Sequence, residues 1–248
     1  MLAVVVLAAL ADYWRRHERT QWQRPLAIAL VVLRRGPVEE SSLAALKERV
    51  HELETVLERE QARHLVSNPI KPFEFQVFGP LDVSASAPAP DGDGVWDLAV
   101  HAWRTWRFYG SIDERVELES RAFDSRIYLF VRPADSERQQ SVEGLSEQGG
   151  RIGSVEVELD DGMVDFALFV ATHELFHTLG ATDKYDGSGR ALLPQGLADP
   201  DQVPLYPQAR AEIMARNLVV APGVERPPES LAEIRVGQAT AREIGWRD

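Results

Sequence analysis

The chain contains no cysteine. A disulfide framework, a thiolate zinc site and a cysteine nucleophile are thereby excluded, and the fold must hold without covalent staples. Positive charge is scarce as well: 27 Lys and Arg stand against 39 Asp and Glu, a formal charge of −12, and the basic residues form no stripe. No nucleic-acid partner is expected, because phosphate contacts need a net positive footprint. Internal repeats are absent. The longest uninterrupted apolar run lies at the start, where residues 1–11 are followed by Asp12, Tyr13, Trp14, Arg15 and Arg16. As a helix, 11 residues span about 16 Å, roughly half the hydrocarbon core of a bilayer. The run also lacks the basic leader and small-residue cleavage pattern of a removable signal peptide. Residues 1–24 are expected to form an N-terminal membrane anchor and juxtamembrane segment, with membrane association through residues 1–14. Arg15, Arg16 and Arg19 oppose export of the domain C-terminal to them, since positive charge is retained on the cytoplasmic side.

The chain is long enough for one sizeable domain: 248 residues, of which 44% are hydrophobic. Residues 26–33 are a Val- and Ile-rich run that predicts a buried strand. Leu43, Leu46, Val50, Leu53 and Leu57 recur at helical spacing and predict a helix over 39–64. Alternation predicts strands at 73–78 and 126–131, with two further strand pieces within 141–159 on either side of Gly149 and Gly150. A loop is expected over 79–94 from its Ser, Pro and Gly content. Residues 95–109 read as a helix whose Trp96, Trp103 and Trp106 are expected to pack in the core against the sheet. Residues 163–179 are apolar almost all round, as suits a helix in the middle of a domain. Beyond Gly180 prolines mark long loops, and a final helix is expected over 238–244.

The apolar central helix carries an exceptional polar cluster. His173 and His177 stand four residues apart, so both imidazoles lie on one helix face and can reach one tetrahedral ion. Glu174 projects about 100° away from the first histidine and can contact a metal-bound water without ligating the metal. Gly180 can take a left-handed conformation, end the helix and turn the chain back. Asp183 is then placed to supply a third ligand, leaving a fourth position for water. A chance His-Glu-x-x-His in a chain of this length has odds on the order of half a percent. Two idle histidines and a glutamate on an apolar helix would be costly buried polar groups.

This stretch resembles the signature of the metzincin clan of zinc metallopeptidases, in the form that ends on Asp: His173, Glu174, His177, Gly180 and Asp183. The clan also carries a methionine turn beneath its metal, and Met214 within Ala211-Glu-Ile-Met-Ala215 stands in the matching place. The strings His-Thr-Leu-Gly-Ala-Thr-Asp-Lys-Tyr-Asp186, Tyr206-Pro-Gln and Ala241-Arg-Glu-Ile-Gly-Trp246 are similar to uncharacterised, membrane-anchored bacterial members. The resemblance covers roughly residues 25–246. It implies an α/β (α+β) fold: a twisted mixed sheet, two packing helices, a central active-site helix and an irregular C-terminal subdomain ending in a helix. Residues 25–180 would form the upper subdomain and 181–248 the lower one. It further implies Zn2+ as cofactor, a peptide or protein substrate extended along an edge strand within 141–158, and a bacterial envelope location with the domain outside the cytoplasm. Where some members have a metal-facing tyrosine two residues after the methionine, this chain has Arg216; Tyr206 or Tyr185 would then act as oxyanion donor.

The expected activity is endopeptidase hydrolysis by metal-activated water, with Glu174 as general base and later general acid. Three alternatives stay open. Glu212 could be a distant third ligand in place of Asp183. The domain could be a noncatalytic, zinc-stabilised envelope binding module. Asp183, Asp186 and Ser188 could form a calcium loop, although the full EF-hand ligand spacing is lacking.

Overall fold

The computed structural model describes residues 17–65, 70–85, 87, 88, 92, 94–134, 143–146 and 149–247. The expected anchor over residues 1–16 lies outside them. Among the described residues no helix is long and apolar enough to cross a membrane.

A five-stranded sheet of order β2-β1-β3-β5-β4 organises the molecule. Strands β1 (Leu26–Arg34), β2 (Phe73–Asp82), β3 (Ser125–Pro133) and β5 (Ile152–Leu159) run parallel, and β4 (Glu143–Ser146) closes one edge antiparallel to β5. The chain is thus a mixed α/β fold with a central, mostly parallel sheet. The apolar sequence of β1 from Leu26 to Leu33 follows from its position: it pairs on both sides and is covered on both faces, so it has no polar face to present.

Helix α1 (Glu40–Ala62) joins β1 to β2, and α2 (Val95–Arg115) joins β2 to β3. The strand crossings run in opposite directions from β1, so the two helices lie on opposite faces of the sheet. Ile28, Leu30 and Val32 of β1 share a core with Leu46, Leu53 and Leu57 of α1 and with Leu168, Leu175 and Phe176 of helix α3 (Val164–Thr178). Ala29, Val31 and Leu33 face the other way, onto Tyr109 and Ile112 of α2.

Helix α2 meets the sheet through its C-terminal half, where the Tyr109 and Tyr128 rings lie 4.2 Å apart and Tyr128 Oη donates to Asp113 at 2.6 Å. The expectation that Trp96, Trp103 and Trp106 fill the core is wrong. They are 79%, 55% and 71% exposed, because at 100° per residue they fall on the helix face opposite Tyr109 and Ile112, which turn to the sheet.

Beyond α3 the chain is irregular, with two small sheets, β6 (Ala211–Glu212) with β9 (Ile234–Arg235) and β7 (Leu218–Ala221) with β8 (Val224–Arg226), then helix α4 (Gln238–Glu243). The end of the chain closes on its beginning. Trp22, Phe73, Phe176 and Trp246 form an aromatic cluster, and Trp22 Nε1 donates to the Ile244 carbonyl at 2.7 Å. Gly245, at φ +75°, approaches so closely that a Cβ there would lie 2.2 Å from the Thr20 carbonyl oxygen. Arg19 is buried and donates to the carbonyls of Gly149 and Gly150 at 3.0 and 2.9 Å. Residues 19–22 thus belong to the packed domain, and the boundary expected at residue 25 falls inside it.

Candidate metal centre

Helix α3 sits in the core with every residue from Ala167 to Phe176 buried, including His173 and Glu174. Apolar side chains all round the helix make this placement favourable, and they leave its polar residues little access to water. The helix ends as its sequence predicts. Gly180 adopts φ +102°, its N–H bonds the His177 carbonyl at 3.0 Å, and the Ala181 N–H bonds the Phe176 carbonyl at 3.0 Å. This pair of bonds satisfies the last helical carbonyls and reverses the chain.

The reversal brings Asp183 over the two histidines. His173 Nε2 and His177 Nε2 are 3.1 Å apart, and Asp183 Oδ1 lies 3.2 Å from each. These three atoms form a nearly equilateral triangle. Ligands at about 2.0–2.2 Å around a tetrahedral zinc are separated by about 3.3 Å, so the triangle matches one face of such a tetrahedron. His173, His177 and Asp183 are also the group among the described residues whose ligand atoms lie close enough together to hold a metal ion.

Both imidazoles are oriented from behind. His173 Nδ1 lies 2.9 Å from the Ile213 carbonyl, and His177 Nδ1 lies 2.9 Å from the Ala181 carbonyl. A carbonyl can only accept, so each Nδ1 carries a proton, and Nε2 is the atom that the neutral imidazole can present to an ion. In the protein without metal, burial works to lower the His177 pKa, but the bonds to Asp183 and Ala181 outweigh it and the pKa is raised. Burial works against ionisation of Asp183 too, yet bonds from His173 and His177 hold its carboxyl far below the usual range.

Met214 is fully buried in a single turn of 3-10 helix (Ile213–Ala215) under the triad, and its carbonyl accepts from the Lys184 N–H at 2.8 Å. Glu212 fixes this turn. One carboxylate oxygen accepts from the Met214 N–H at 2.6 Å, and the other accepts from the Gly237 N–H at 3.2 Å and Thr240 Oγ1 at 2.6 Å. With both oxygens so engaged, Glu212 is a brace rather than the distant ligand its position in the sequence allows. Lys184 is a second brace: its buried Nζ donates to both oxygens of Glu243 in α4 at 2.8 Å and to Thr182.

Tyr206 makes no hydrogen bond or ring contact with the triad among the described residues, whereas Tyr185 stands beside it. Its ring stacks on His173 with centroids 6.2 Å apart, and the Arg216 guanidinium lies 5.3 Å from its centre. Burial first, then the Asp183 charge, raise the Tyr185 pKa, with Arg216 opposing them. Arg216 holds φ +69°, unusual for a side chain of its size. It helps line a cavity of about 130 Å³ beside His173, walled by Phe166, Phe169, Val170, Asn217 and Pro227.

Asp186 Oδ1 accepts from the N–H and Oγ of Ser188 and from the Arg190 N–H, so it closes its own turn instead of joining Asp183 in a calcium loop. The carbonyls behind the two histidines, the Glu212 brace and the Lys184–Glu243 pair had no sequence signal of their own. Apart from the His177–Ala181 contact, made within the helix-terminating turn, each joins residues whose proximity only the fold creates. Compared with known proteins, the chain matches no family model and no curated sequence.

Proposed function

We propose that this protein is a zinc-dependent endopeptidase of metzincin type, with His173, His177 and Asp183 as ligands and Glu174 as the proton-transfer residue. The observation that carries this reading is the triangle of two imidazole nitrogens and one carboxylate oxygen, at separations of 3.1–3.2 Å, on one side of a buried helix. A two-nitrogen, one-oxygen set with an open fourth position suits zinc better than calcium or magnesium, which prefer oxygen ligands and higher coordination.

Bound there, zinc would supply Lewis acidity and make a bound water acidic enough to attack near neutral pH. Glu174 follows the first ligand directly and is buried, as a base that must hold a proton away from bulk water should be. It takes the proton of the attacking water and returns it to the leaving amine. Tyr185 and Arg216, stacked together at the triad, are the donors available to a developing oxyanion, and they replace Tyr206 in that role. Strand β4, the edge of the sheet among the described residues, would pair with an extended peptide. The cavity beside His173 would take one substrate side chain, with an apolar wall and Arg216 and Asn217 at its lining.

Incubation of the zinc-loaded protein with a mixed peptide library, read by mass spectrometry, tests the reading. Cleavage that disappears in Glu174→Gln while zinc is retained supports it. A folded, zinc-loaded protein that cuts no peptide and whose zinc has no exchangeable water would support the noncatalytic envelope binding module instead.

A further inference from the structure

We infer that helix α2 is a docking surface for an anionic phospholipid membrane. At 100° per residue, Trp96, Trp103, Trp106 and Arg107 fall within about 100° of the helix circumference, so they form a single stripe. The three indoles are 79%, 55% and 71% exposed, although indoles are normally among the most thoroughly covered side chains. Arg107 lies 5.6 Å over the Trp103 ring. Indoles interleaved with guanidinium groups are the chemistry of a membrane interface, where the rings sit at headgroup level and the cations meet lipid phosphate.

Charge favours the same occupant. The charges of α2 are sorted along it: Asp97, Asp113 and Glu114 stand near its ends, whereas the middle, residues 98–112, holds Arg104 and Arg107 and no Asp or Glu. This locally positive middle, around Trp103 and Trp106, suits an anionic surface. A second copy of the chain suits it less, because stripe against stripe would bring Arg104 and Arg107 near their own counterparts without a carboxylate from 98–112 to pair them.

Docking through α2 has a geometric consequence. The triad lies on α3, across the sheet from α2, so the candidate metal centre would face away from the bilayer.

The test uses the full chain carrying Trp14→Phe, which leaves Trp22 and Trp246 buried and the three α2 indoles exposed. The protein is mixed with phosphatidylglycerol-containing vesicles whose acyl chains are brominated, and tryptophan emission is followed. Docking predicts a blue shift and partial quenching, both lost when Trp96→Phe, Trp103→Phe and Trp106→Phe are added. In a chain that retains Trp14, replacing the three α2 indoles with Gln should weaken vesicle binding at least about tenfold while leaving the melting temperature unchanged. Binding without quenching would mean that residues 1–16 hold the membrane alone and would overturn the inference. Equal quenching by neutral phosphatidylcholine vesicles would overturn its electrostatic part. A lipid-free dimer in sedimentation that dissociates when the indoles are replaced would assign the stripe to a second copy.

Discussion

His173 Nδ1 meets the carbonyl oxygen of Ile213 at 2.9 Å, so the first candidate ligand is oriented by a residue 40 positions later in the chain. Ile213 begins the turn that buries Met214, and Glu212 fixes that turn from below. The histidine, the methionine turn and the glutamate thus act as one mechanical unit, and its parts can be tested separately.

Glu212→Gln should loosen the unit without touching the triad. Glutamine keeps one acceptor oxygen but turns an amide donor toward the N–H or hydroxyl groups that now bond the carboxylate. A buried unmatched donor costs about 1–3 kcal/mol, or roughly 2–4 °C of melting temperature per kcal/mol for a domain of this size. Because the turn orients His173, zinc affinity should fall about 10–100-fold. Calorimetry and competition with a zinc chelator check both, and an unchanged affinity would remove Glu212 from the support of the site.

Lys184→Met should separate α4 from the loop that carries Asp183. The lysine is buried and Glu243 is about one-third exposed, so water partly relieves the stranded carboxylate. The expected loss is about 1–3 kcal/mol, below the roughly 3–5 kcal/mol that breaking a fully buried pair costs. Chemical denaturation of wild type and variant measures it.

Gly180→Ala tests the helix stop. A Cβ there would meet only the Glu243 carbonyl oxygen, at an ordinary 3.8 Å, so the penalty comes from φ +102° and not from crowding. About 1–2 kcal/mol is expected. A loss of that size with retained zinc binding would show that the turn tolerates strain; loss of zinc as well would show that Asp183 has been displaced.

The metal-free protein should have a pH optimum of its own. The raised His177 pKa adds stability that is fully present below its ordinary 6.5 and is lost as pH rises through the higher folded value. The lowered Asp183 pKa adds stability that is present above its ordinary 3.8 and is lost as pH falls through the folded value. The two gains coincide between about pH 4 and 6.5. Zinc must displace the His177 proton, so the gain in melting temperature on adding zinc should grow from pH 5.5 to pH 8. Calorimetric scans with and without zinc across that range check the sign, and a gain that shrinks with rising pH would contradict it.

Much of this molecule is legible in its sequence, because helical and strand periodicities state which face is apolar. The α1 stripe from Leu43 to Leu57, the apolar β1 and the all-apolar α3 each occupy the position their pattern predicts. The spacing of His173, His177, Gly180 and Asp183 is legible for the same reason: all four lie in one helix and its terminating turn, where local geometry decides. The three indoles of α2 are not legible. Trp96, Trp103 and Trp106 share one face of α2 and Tyr109 and Ile112 the other, and apolar character alone does not say which of the two faces the sheet covers. Arg216 is similar: sequence marks it as a departure from a tyrosine, and only the structure sets it against Tyr185.

The measurement that bears most directly on the central claim is zinc content by mass spectrometry, made on the full chain and on its His177→Ala and Asp183→Ala variants. The account predicts about one zinc per chain in the wild type and little or none in either variant, each still folded by circular dichroism. A folded wild type that takes up no zinc, or an Asp183→Ala variant that retains it in full, would contradict the triad.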